Sequence, residues 1–470
     1  MSRILVLGAG VCGLAGALML ARDGHDVTVL ERDGAAVPES PEVAWESWAR
    51  AGVAQFRQAH FVQALGARVL DEHLPDVAAA LEAAGALRLD SLRGMPPGIA
   101  DRSPRPGDER LVTLTARRPA FEQVLGAAAE DAPRITVRRG VAVRELTARH
   151  ANGVPHVTGV RTRAGELVPA DLVIDATGRR SPVTRWLDEL GAAPVHVDSA
   201  DHGFVYYTRY FRARDGGGLP VPKAPRLAPI GSFSIASLPG DAGTWSLTIF
   251  ASMRDRPLRR LRFADRWSAV VRACPRHAHW LDGEPITDVM AMGGVIDRHR
   301  RFVLDGRPVA TGLVPLADAW ACTNPSLGRG IALGLAHAAL LRTTVRDHGD
   351  DPHALAVAFD AATDRELTPW YRASESFDRD RIADMERDAA GRPIPAPSDP
   401  AGHVRAALPV AAAHDPDAFR AVLEIASCLA LPHDVFARPG LARRIVELGR
   451  EHGPGAPLGP DRAELVGLLA

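Results

Sequence analysis

The sequence has 470 residues, of which 46% are hydrophobic, so it can form roughly two or three packed units with a sizeable core. Its 56 basic and 57 acidic residues give a net charge of −1, which argues against a nucleic-acid surface and against a polybasic membrane-binding segment. The four cysteines are scattered without CxxC spacing. We therefore expect no structural zinc and no disulfide framework, and we expect a cytoplasmic location.

The chain begins with a pattern of strand, glycine turn, helix and second strand. In such a unit the first glycine permits the tight turn, the second lets the backbone approach a pyrophosphate, and the third lets the helix pack closely on the sheet. The helix N-terminus then presents free N–H groups to the phosphate. These glycines are Gly8, Gly10 and Gly13, and Val11 and Cys12 open a helix over about 11–22.

An acid follows the glycines at the end of the second strand. Glu31 lies about 20 residues further on, where a carboxylate accepts hydrogen bonds from a ribose, and Arg32 is placed to flank the adenine or the ribose edge. The unit therefore predicts a dinucleotide site. The alternative is a secretory or membrane segment, because residues 4–21 are uncharged and follow Arg3. Interrupting glycines and an immediate return to a strand pattern argue against that alternative, so we expect no membrane span.

Further elements are predicted from apolar periodicity and from proline and glycine positions. In chain order they are a helical pattern over 60–84 with a break before Pro75, a loop over 91–110, a helix that opens at Arg118, strands near 135–138 and 142–146, a hairpin over 156–168, a strand over 171–175, an antiparallel sheet with aromatic residues over 195–305 that a helix at about 267–280 interrupts, a strand pattern over 308–316, a helix over 330–342, and a mostly helical region over 352–470.

Two later motifs, together with the glycine turn, carry a family resemblance. The first is Asp175-Ala-Thr177-Gly178-Arg-Arg-Ser181, and the second is Leu316-Ala317-Asp318-Ala319 followed by Asn324-Pro325-Ser-Leu-Gly328-Arg-Gly330-Ile331. With these motifs in this order, residues 1–345 resemble the FAD-dependent oxidoreductases of the aromatic-hydroxylase type, which share the fold of para-hydroxybenzoate hydroxylase.

The chain departs from the usual family pattern at two positions. Thr177 stands where the hydroxylases usually have Asp, and Ala317 stands where they usually have Gly. The Asp-Ala-Thr-Gly form is similar to that of flavin halogenases and isoprenoid reductases. A dehydrogenase or double-bond reductase therefore stays open as an alternative. A halogenase ranks lower, because Trp45-Glu-Ser-Trp48 does not have the spacing of the halogenase Trp-x-Trp-x-Ile-Pro segment.

The resemblance implies an α/β fold with an FAD-binding Rossmann-like domain of the glutathione-reductase type, an inserted antiparallel-sheet substrate domain and a helical C-terminal region. The FAD-binding domain would be formed by residues 1–75, 105–190 and 306–345. The remaining segments would be a substrate-side insertion at 76–104, the substrate domain at 191–305 and the C-terminal region at 346–470.

The resemblance also implies contacts with FAD. Asp318 matches the acid that accepts hydrogen bonds from the ribityl chain. Thr177 and Gly178 match a strand end beside the cofactor, Arg118 matches an arginine that clasps the FAD linker, and Val143 matches a strand residue whose backbone meets the adenine. The loop whose backbone N–H groups would lie against the flavin contains Pro325, Gly328, Gly330 and Ile331.

Catalytic side chains are harder to predict, because in this family the cofactor carries the chemistry. Gln55-Phe-Arg57-Gln-Ala-His60 is similar to a Gln-x-Arg-x-x-His segment of a bacterial branch. Arg57 and His60 are therefore the candidates for catalysis, and Arg57 also for cofactor contact. No metal site is expected.

The function that follows is an FAD-dependent monooxygenase. It would insert one oxygen atom from O₂ into an apolar, aromatic or polyketide-like small molecule of secondary metabolism, through a C4a-hydroperoxyflavin. NAD(P)H would bind transiently, or a partner flavin reductase would supply the electrons, because the chain has only one clear glycine fingerprint. A flavoprotein that binds a ligand without turnover is a further alternative. The sequence leaves the oligomeric state open.

Overall fold

The structure is a computed structural model that describes residues 1–151, 153–214, 217–393, 395–453 and 455–470. Its β-strands, in chain order, are β1 (Arg3–Leu7), β2 (Asp26–Glu31), β3 (Arg88–Asp90), β4 (Val112–Leu114), β5 (Ile135–Arg139), β6 (Val143–Ala151), β7 (Val154–Thr162), β8 (Leu167–Pro169), β9 (Leu172–Asp175), β10 (His196–Ala200), β11 (Phe204–Arg212), β12 (Leu227–Ile230), β13 (Phe233–Pro239), β14 (Thr244–Ser252), β15 (Glu284–Pro285), β16 (Met290–Gly293), β17 (Asp297–Arg301), β18 (Val303–Leu304), β19 (Arg307–Pro308), β20 (Leu313–Pro315) and β21 (Ala321–Cys322).

The α-helices are α1 (Val11–Arg22), α2 (Pro41–Ser47), α3 (Ala64–His73), α4 (Pro75–Ala83), α5 (Arg118–Asp131), α6 (Val183–Glu189), α7 (Ala264–Arg272), α8 (Gly330–His348), α9 (Pro352–Glu366), α10 (Thr368–Ala389), α11 (Pro400–Ala411), α12 (Pro416–Ala426), α13 (Pro432–Phe436), α14 (Leu441–His452) and α15 (Arg462–Leu469). Among them, none is long and apolar enough to cross a membrane.

A five-stranded parallel sheet with the order β20-β9-β1-β2-β5 forms the centre of the first unit. Strands β1, β9 and β20 are buried along almost all of their length, as expected for a sheet covered on both faces, whereas the edge strand β5 buries only Ile135. Helices α1 and α8 pack together in one core with α3 and α5. Ligands bind outside the carboxyl ends of strands in such sheets. Here Gly8, Glu31, Asp175 and Pro315 lie at or next to those ends.

An antiparallel sheet with the order β12-β13-β14-β11-β15 forms the second unit, and β16 also pairs with β11. Because side chains alternate along a strand, β11 presents two faces. One face contains Tyr207 and Phe211, which pack with residues of α7 and α15. The other face contains Phe204 and Tyr206, which pack with Phe250 and with residues of α10.

Two predicted helices differ from the observed ones. The helix predicted over about 267–280 ends at Arg272, and a separate 3₁₀ turn follows over Ala278–Leu281. Pro275 explains the break, since proline disfavours a helical residue before it and cannot donate a backbone hydrogen bond. Helix α8 continues to His348, beyond the predicted end at about 342, because its last two turns still bury Thr344 and Val345.

Residues 352–470 are mostly helical, as the sequence predicts. Helix α9 packs along α8, and α10 lies against β14 of the antiparallel sheet. Arg381 of α10 donates hydrogen bonds to Ser234 and to the carbonyl oxygen of Gly231 in that sheet. Helices α11 to α14 share a smaller core of their own. This region therefore supports both the parallel and the antiparallel sheet.

Candidate active site

The glycine turn has the geometry of a phosphate-binding turn. Gly8 has a φ of +104°, and a Cβ there would lie 2.7 Å from the carbonyl oxygen of Ala176. A Cβ on Gly13 would lie 2.3 Å from the carbonyl oxygen of Gly8, so both positions require glycine. At Gly10 a Cβ would meet no atom of the described chain within 4 Å. The space in front of the α1 N-terminus is thus open to a ligand, next to Val11 and Cys12.

Glu31 ends β2 beside this turn. Its carboxylate accepts hydrogen bonds from the backbone N–H groups of Ala9 and Asp33, both at 2.9 Å. The guanidinium of Arg50 lies 2.9 Å from the same carboxylate and 3.0 Å from that of Glu122. A carboxylate offers about four acceptor positions. Glu31 therefore keeps capacity to accept from a ribose hydroxyl.

The other two residues predicted near the adenine lie close to Glu31. Arg32 is exposed and lies against Gly52, where an added Cβ would stand 2.3 Å from the Arg32 guanidinium. The N–H of Val141 donates to the Glu31 carbonyl oxygen at 2.9 Å, which brings the start of β6, with Val143, to the same end of β2. Contacts of Arg32 and Val143 with adenine stay predictions.

Arg118 and His60 meet between this region and the antiparallel sheet. Arg118 opens α5; its Nε donates to Glu122 at 2.7 Å, and one of its NH groups lies 3.3 Å from Nε2 of His60. Nδ1 of His60 lies 2.8 Å from the carbonyl oxygen of Gln58. Since a carbonyl can only accept, the proton is on Nδ1 and Nε2 accepts from Arg118. Burial lowers the pKa of His60 to about 3, and the positive charge of Arg118 contributes a smaller part of this decrease. The ring is therefore neutral.

Asp318 is the acid predicted to face the ribityl chain. It lies in a 3₁₀ turn after β20, and its carboxylate accepts no hydrogen bond within the described part of the chain. Burial raises the pKa of Asp318, while Arg118 and Arg179 oppose that rise. Burial and then Asp318 raise the pKa of the Cys12 thiol to about 12, so Cys12 lies close to this acid. Asp318 is half-buried, so its carboxylate can accept hydrogen bonds from the hydroxyl groups of a bound cofactor.

The N-termini of α1 and α8 come together at this point. Helix α8 begins at Gly330, where an added Cβ would meet no described atom within 4 Å, and Ile331 follows in its first turn. One turn into α8, a Cβ on Gly334 would lie 2.3 Å from Sγ of Cys12 in α1. Each of the two helix N-termini therefore has open space beside its first residues, and each favours negative charge there.

The loop at residues 324–328 leads into α8. It contains the 3₁₀ turn Pro325–Leu327, and Gly328 then has a φ of +62°. The N–H of Asn324 donates to Asp297 at 2.5 Å. Ser326 and Asp378, which comes from the distant helix α10, form a further hydrogen bond. The loop is thus fixed from β17 and from the C-terminal region, as well as by its own glycine.

The two carboxyl groups that hold the 324–328 loop are unusual acids. Burial raises the pKa of Asp378 to about 8 and that of Asp297 to about 6. Hydrogen bonds from Ser326 and Asn324 respectively oppose these rises. At neutral pH, Asp378 is therefore mainly protonated. Nothing local in the sequence marks either residue, because both reach the loop from other elements.

Thr177 and Arg57 make protein contacts in this structure. The N–H and hydroxyl of Thr177 both donate to Asp175, at 3.0 and 2.6 Å, so the side chain is occupied there. Gly178 follows with a φ of +80°. Arg57 donates to the carbonyl oxygens of Trp45 and Trp48, at 2.9 and 3.2 Å. Their roles toward cofactor and substrate stay predictions, and the observed bonds fix the local backbone.

Two tyrosines link the antiparallel sheet to these segments. The Tyr206 hydroxyl donates to the Asn324 side chain at 3.3 Å, and the Tyr210 hydroxyl donates to the Gln58 carbonyl oxygen at 2.9 Å. Trp45 packs against Tyr210 with ring centroids 4.8 Å apart. The β11 face with Tyr206 and Tyr210 is therefore the one turned to the 324–328 loop.

Four residues described above were missed in the sequence: Arg50, Glu122, Asp297 and Asp378. Arg50 and Glu122 form a buried ion pair around Glu31, with exposed fractions of 6% and 0%. Glu122 could have been found from its i, i+4 spacing to Arg118 on α5. Arg50 and Asp378 carry no such signal.

Comparisons with known proteins bear on the cofactor and the fold. Residues 1–199 match the family model described as an FAD binding domain. The structure is similar to PqsL, a probable FAD-dependent monooxygenase from Pseudomonas aeruginosa, with 18% identity, a TM-score of 0.59, and coverage of 82% of this chain and 99% of that chain. The chain is an FAD-binding protein with the fold of the aromatic hydroxylases. The predictions of fold class, family resemblance and FAD are thereby confirmed.

This FAD-binding protein has two further similarities. OxyS anhydrotetracycline hydroxylase from Streptomyces rimosus matches with 19% identity and a TM-score of 0.55, over 92% of this chain and 76% of that chain. Protein Rv3254 of Mycobacterium tuberculosis (strain ATCC 25618 / H37Rv) is 27% identical over 355 residues, which are 73% of this chain and 72% of the relative. At these identities the structural neighbours establish the fold, and the names of PqsL and OxyS agree with the predicted enzyme class.

Proposed function

We propose that this FAD-binding protein is a monooxygenase that inserts one oxygen atom from O₂ into an apolar small molecule, aromatic or polyketide-like in structure. The observation that supports this most strongly is the hydrogen bond between Tyr206 and Asn324. It joins one face of the antiparallel sheet to the loop that precedes the α8 N-terminus. A substrate on that face would adjoin the flavin end of the cofactor.

The residues present fit an FAD molecule that extends from Glu31 to the α8 N-terminus. The pyrophosphate would take the open space at Gly10, the ribose would bond Glu31, and the ribityl hydroxyls would bond Asp318. When bound and reduced, FAD would supply the reaction with O₂. The chain itself contributes binding, orientation and the exclusion of water.

For His60 we favour a positioning role over that of a general acid. Its pKa of about 3 means that the imidazole ring is neutral at neutral pH. It instead accepts a hydrogen bond from Arg118 and donates one to Gln58. We infer that His60 orients Arg118, whose guanidinium would face the cofactor.

The candidate substrate face supports an apolar ligand. Its residues on β11 are Tyr206, Thr208 and Tyr210, and the cross-strand partners of these three on β14 are Phe250, Thr248 and Ser246. All six are buried, and the hydroxyls of Thr208 and Thr248 bond each other at 2.9 Å. This face therefore combines aromatic side chains with few free polar groups, and residues of α10 pack against part of it. NAD(P)H or a partner reductase would donate electrons, and the four free cysteines fit the expected cytoplasmic location.

Product mass tests the proposal. FAD-loaded protein would be given NAD(P)H or a flavin reductase, heavy-isotope O₂, and a panel of apolar aromatic and polyketide compounds. A product that gains one labelled oxygen atom supports the monooxygenase. A product that differs by two hydrogen atoms, without label, would support a dehydrogenase or double-bond reductase instead, and a halogenated product would support the halogenase.

Two neighbouring tyrosines provide a matched pair of variants. Tyr206→Phe removes the bond to Asn324 on the proposed substrate face, whereas Tyr207→Phe changes the opposite face. We expect Tyr206→Phe to change KM or to increase NAD(P)H oxidation without product, by about tenfold for the loss of one buried hydrogen bond. Tyr207→Phe should leave both quantities near the wild-type values. Equal effects would contradict the assignment of the face.

A further inference from the structure

Ala317 has an uncommon backbone conformation directly before the acid of the cofactor site. Its φ is +53°, in the left-handed region that glycine adopts readily and alanine does not. The resemblance leads one to expect glycine at this position. Because Asp318 is the next residue, the Ala317 backbone decides where that carboxylate points. The conformation therefore needs support from elsewhere.

His337 of α8 supplies that support. Its Nδ1 accepts a hydrogen bond from the Ala317 N–H at 3.1 Å. Its Nε2 lies 3.1 Å from the hydroxyl of Thr363 in α9. A backbone N–H can only donate, so the ring proton is on Nε2. The Nε2–H group then donates a hydrogen bond to the Thr363 hydroxyl. Burial lowers the pKa of His337 to about 3, which is consistent with a neutral ring that has one acceptor and one donor.

The His337 ring is also fixed by its neighbours. It stacks on Phe359 of α9, with centroids 4.8 Å apart and an interplanar angle of 9°. Trp320 meets it edge-on at 5.0 Å. His337 is 1% exposed and Thr363 is 3% exposed. Two hydrogen bonds and two aromatic contacts therefore leave the ring a single orientation.

We propose that His337 is a positioning residue of the FAD site. It holds Ala317 in the left-handed conformation and so directs Asp318 toward the ribityl chain. Thr363 and Phe359 make helix α9 of the C-terminal region part of this support. The proposal rests on FAD binding and not on oxygen insertion, so a failure of the proposed reaction would leave it standing.

The test measures FAD affinity of the apoprotein by quenching of flavin fluorescence. His337→Asn keeps an acceptor near the Nδ1 position, whereas His337→Gln moves its polar group toward the Nε2 position. We expect His337→Gln to weaken FAD binding about tenfold or more, and His337→Asn to weaken it much less. Ala317→Gly added to His337→Gln should restore most of the affinity, because glycine needs no support at this φ.

Rescue by glycine separates positioning from general packing. If His337 only filled the core, Asn and Gln would both weaken binding and Ala317→Gly would restore neither. If His337→Gln binds FAD as the wild type does, the proposal is wrong. If the variants do not fold, the nitrogen-15 NMR shifts of the His337 ring can be measured in the wild-type protein instead. A proton on Nε2 supports the proposal, and a proton on Nδ1 overturns it.

Discussion

The two ends of the proposed FAD site are constructed differently. At the β1–α1 turn, Gly8 and Gly13 fix the geometry through local backbone packing, and the acid Glu31 follows on the next strand. At the α8 end, residue 317 is an alanine with positive φ, and side chains from β17, α8 and α10 hold the surrounding loop. A helix N-terminus can thus be prepared for a cofactor by local glycines or by distant side chains. Only the first way is visible in a short stretch of sequence.

Loss of Arg50 should have the largest effect, at the glycine-turn end. Arg50→Ala would leave Glu31 and Glu122 buried without their shared cation, so we expect unfolding to become easier by about 3–5 kcal/mol. Denaturant unfolding measures this change. The control is Arg185→Ala, which breaks an exposed ion pair with Glu189 and should cost well under 1 kcal/mol. Equal costs would show that the buried cluster does not stabilise this end.

Two glycine substitutions compare the ends directly. Gly13→Ala brings a Cβ to 2.3 Å from a backbone oxygen, and Gly334→Ala brings one to 2.3 Å from Sγ of Cys12. We expect each to cost about 1–3 kcal/mol in denaturant unfolding. Adding Cys12→Ala should recover most of the stability lost at Gly334, because it removes the sulfur atom that the new Cβ meets. It should recover none at Gly13, where the new Cβ meets a backbone oxygen. Equal recovery at both would contradict this distinction.

Asp378 should make the α8 end sensitive to pH. An unfolded Asp has a pKa of about 3.9. The folded carboxyl, with a pKa of about 8, keeps its proton up to that pH. The unfolded chain therefore binds fewer protons between these values, and stability falls as pH rises through them, by up to about 1.4 kcal/mol per pH unit. Asp378→Asn cannot titrate, so its stability relative to the wild type should increase from pH 4 to pH 8.

The exposed Asp380 on the same helix gives the control for this pH series. Asp380→Asn should differ from the wild type by a small, constant amount, because that side chain is 64% exposed. Urea midpoints at several pH values measure both variants. A flat difference for Asp378→Asn would show that this acid is not protonated in the folded protein.

The glycine turn and the α/β fold could be predicted from the sequence and are found in the structure. Glu31 is predicted as a ribose contact from its spacing to the glycines, and Asp318 as a ribityl contact from the family resemblance. The sequence did not reveal that Asp297, His337 and Asp378 hold the residues around Asp318, since these contacts arise only when separate elements pack. The prediction of one helix across Pro275 was wrong, because a proline there disfavours a continued helix, and this proline was visible in the sequence. The division into domains and the individual FAD contacts remain predictions.

The most direct test is titration of the apoprotein with FAD, followed by the visible absorbance of bound oxidised flavin. The wild type should bind FAD and turn yellow, and Gly10→Ala should fold normally, since no described atom lies within 4 Å of the added Cβ, yet lose most of its affinity. Asp318→Asn should also bind more weakly, while exposed Asp350→Asn should bind as the wild type does. Folded wild-type protein that stays colourless, or Gly10→Ala protein that binds FAD fully, would contradict the account.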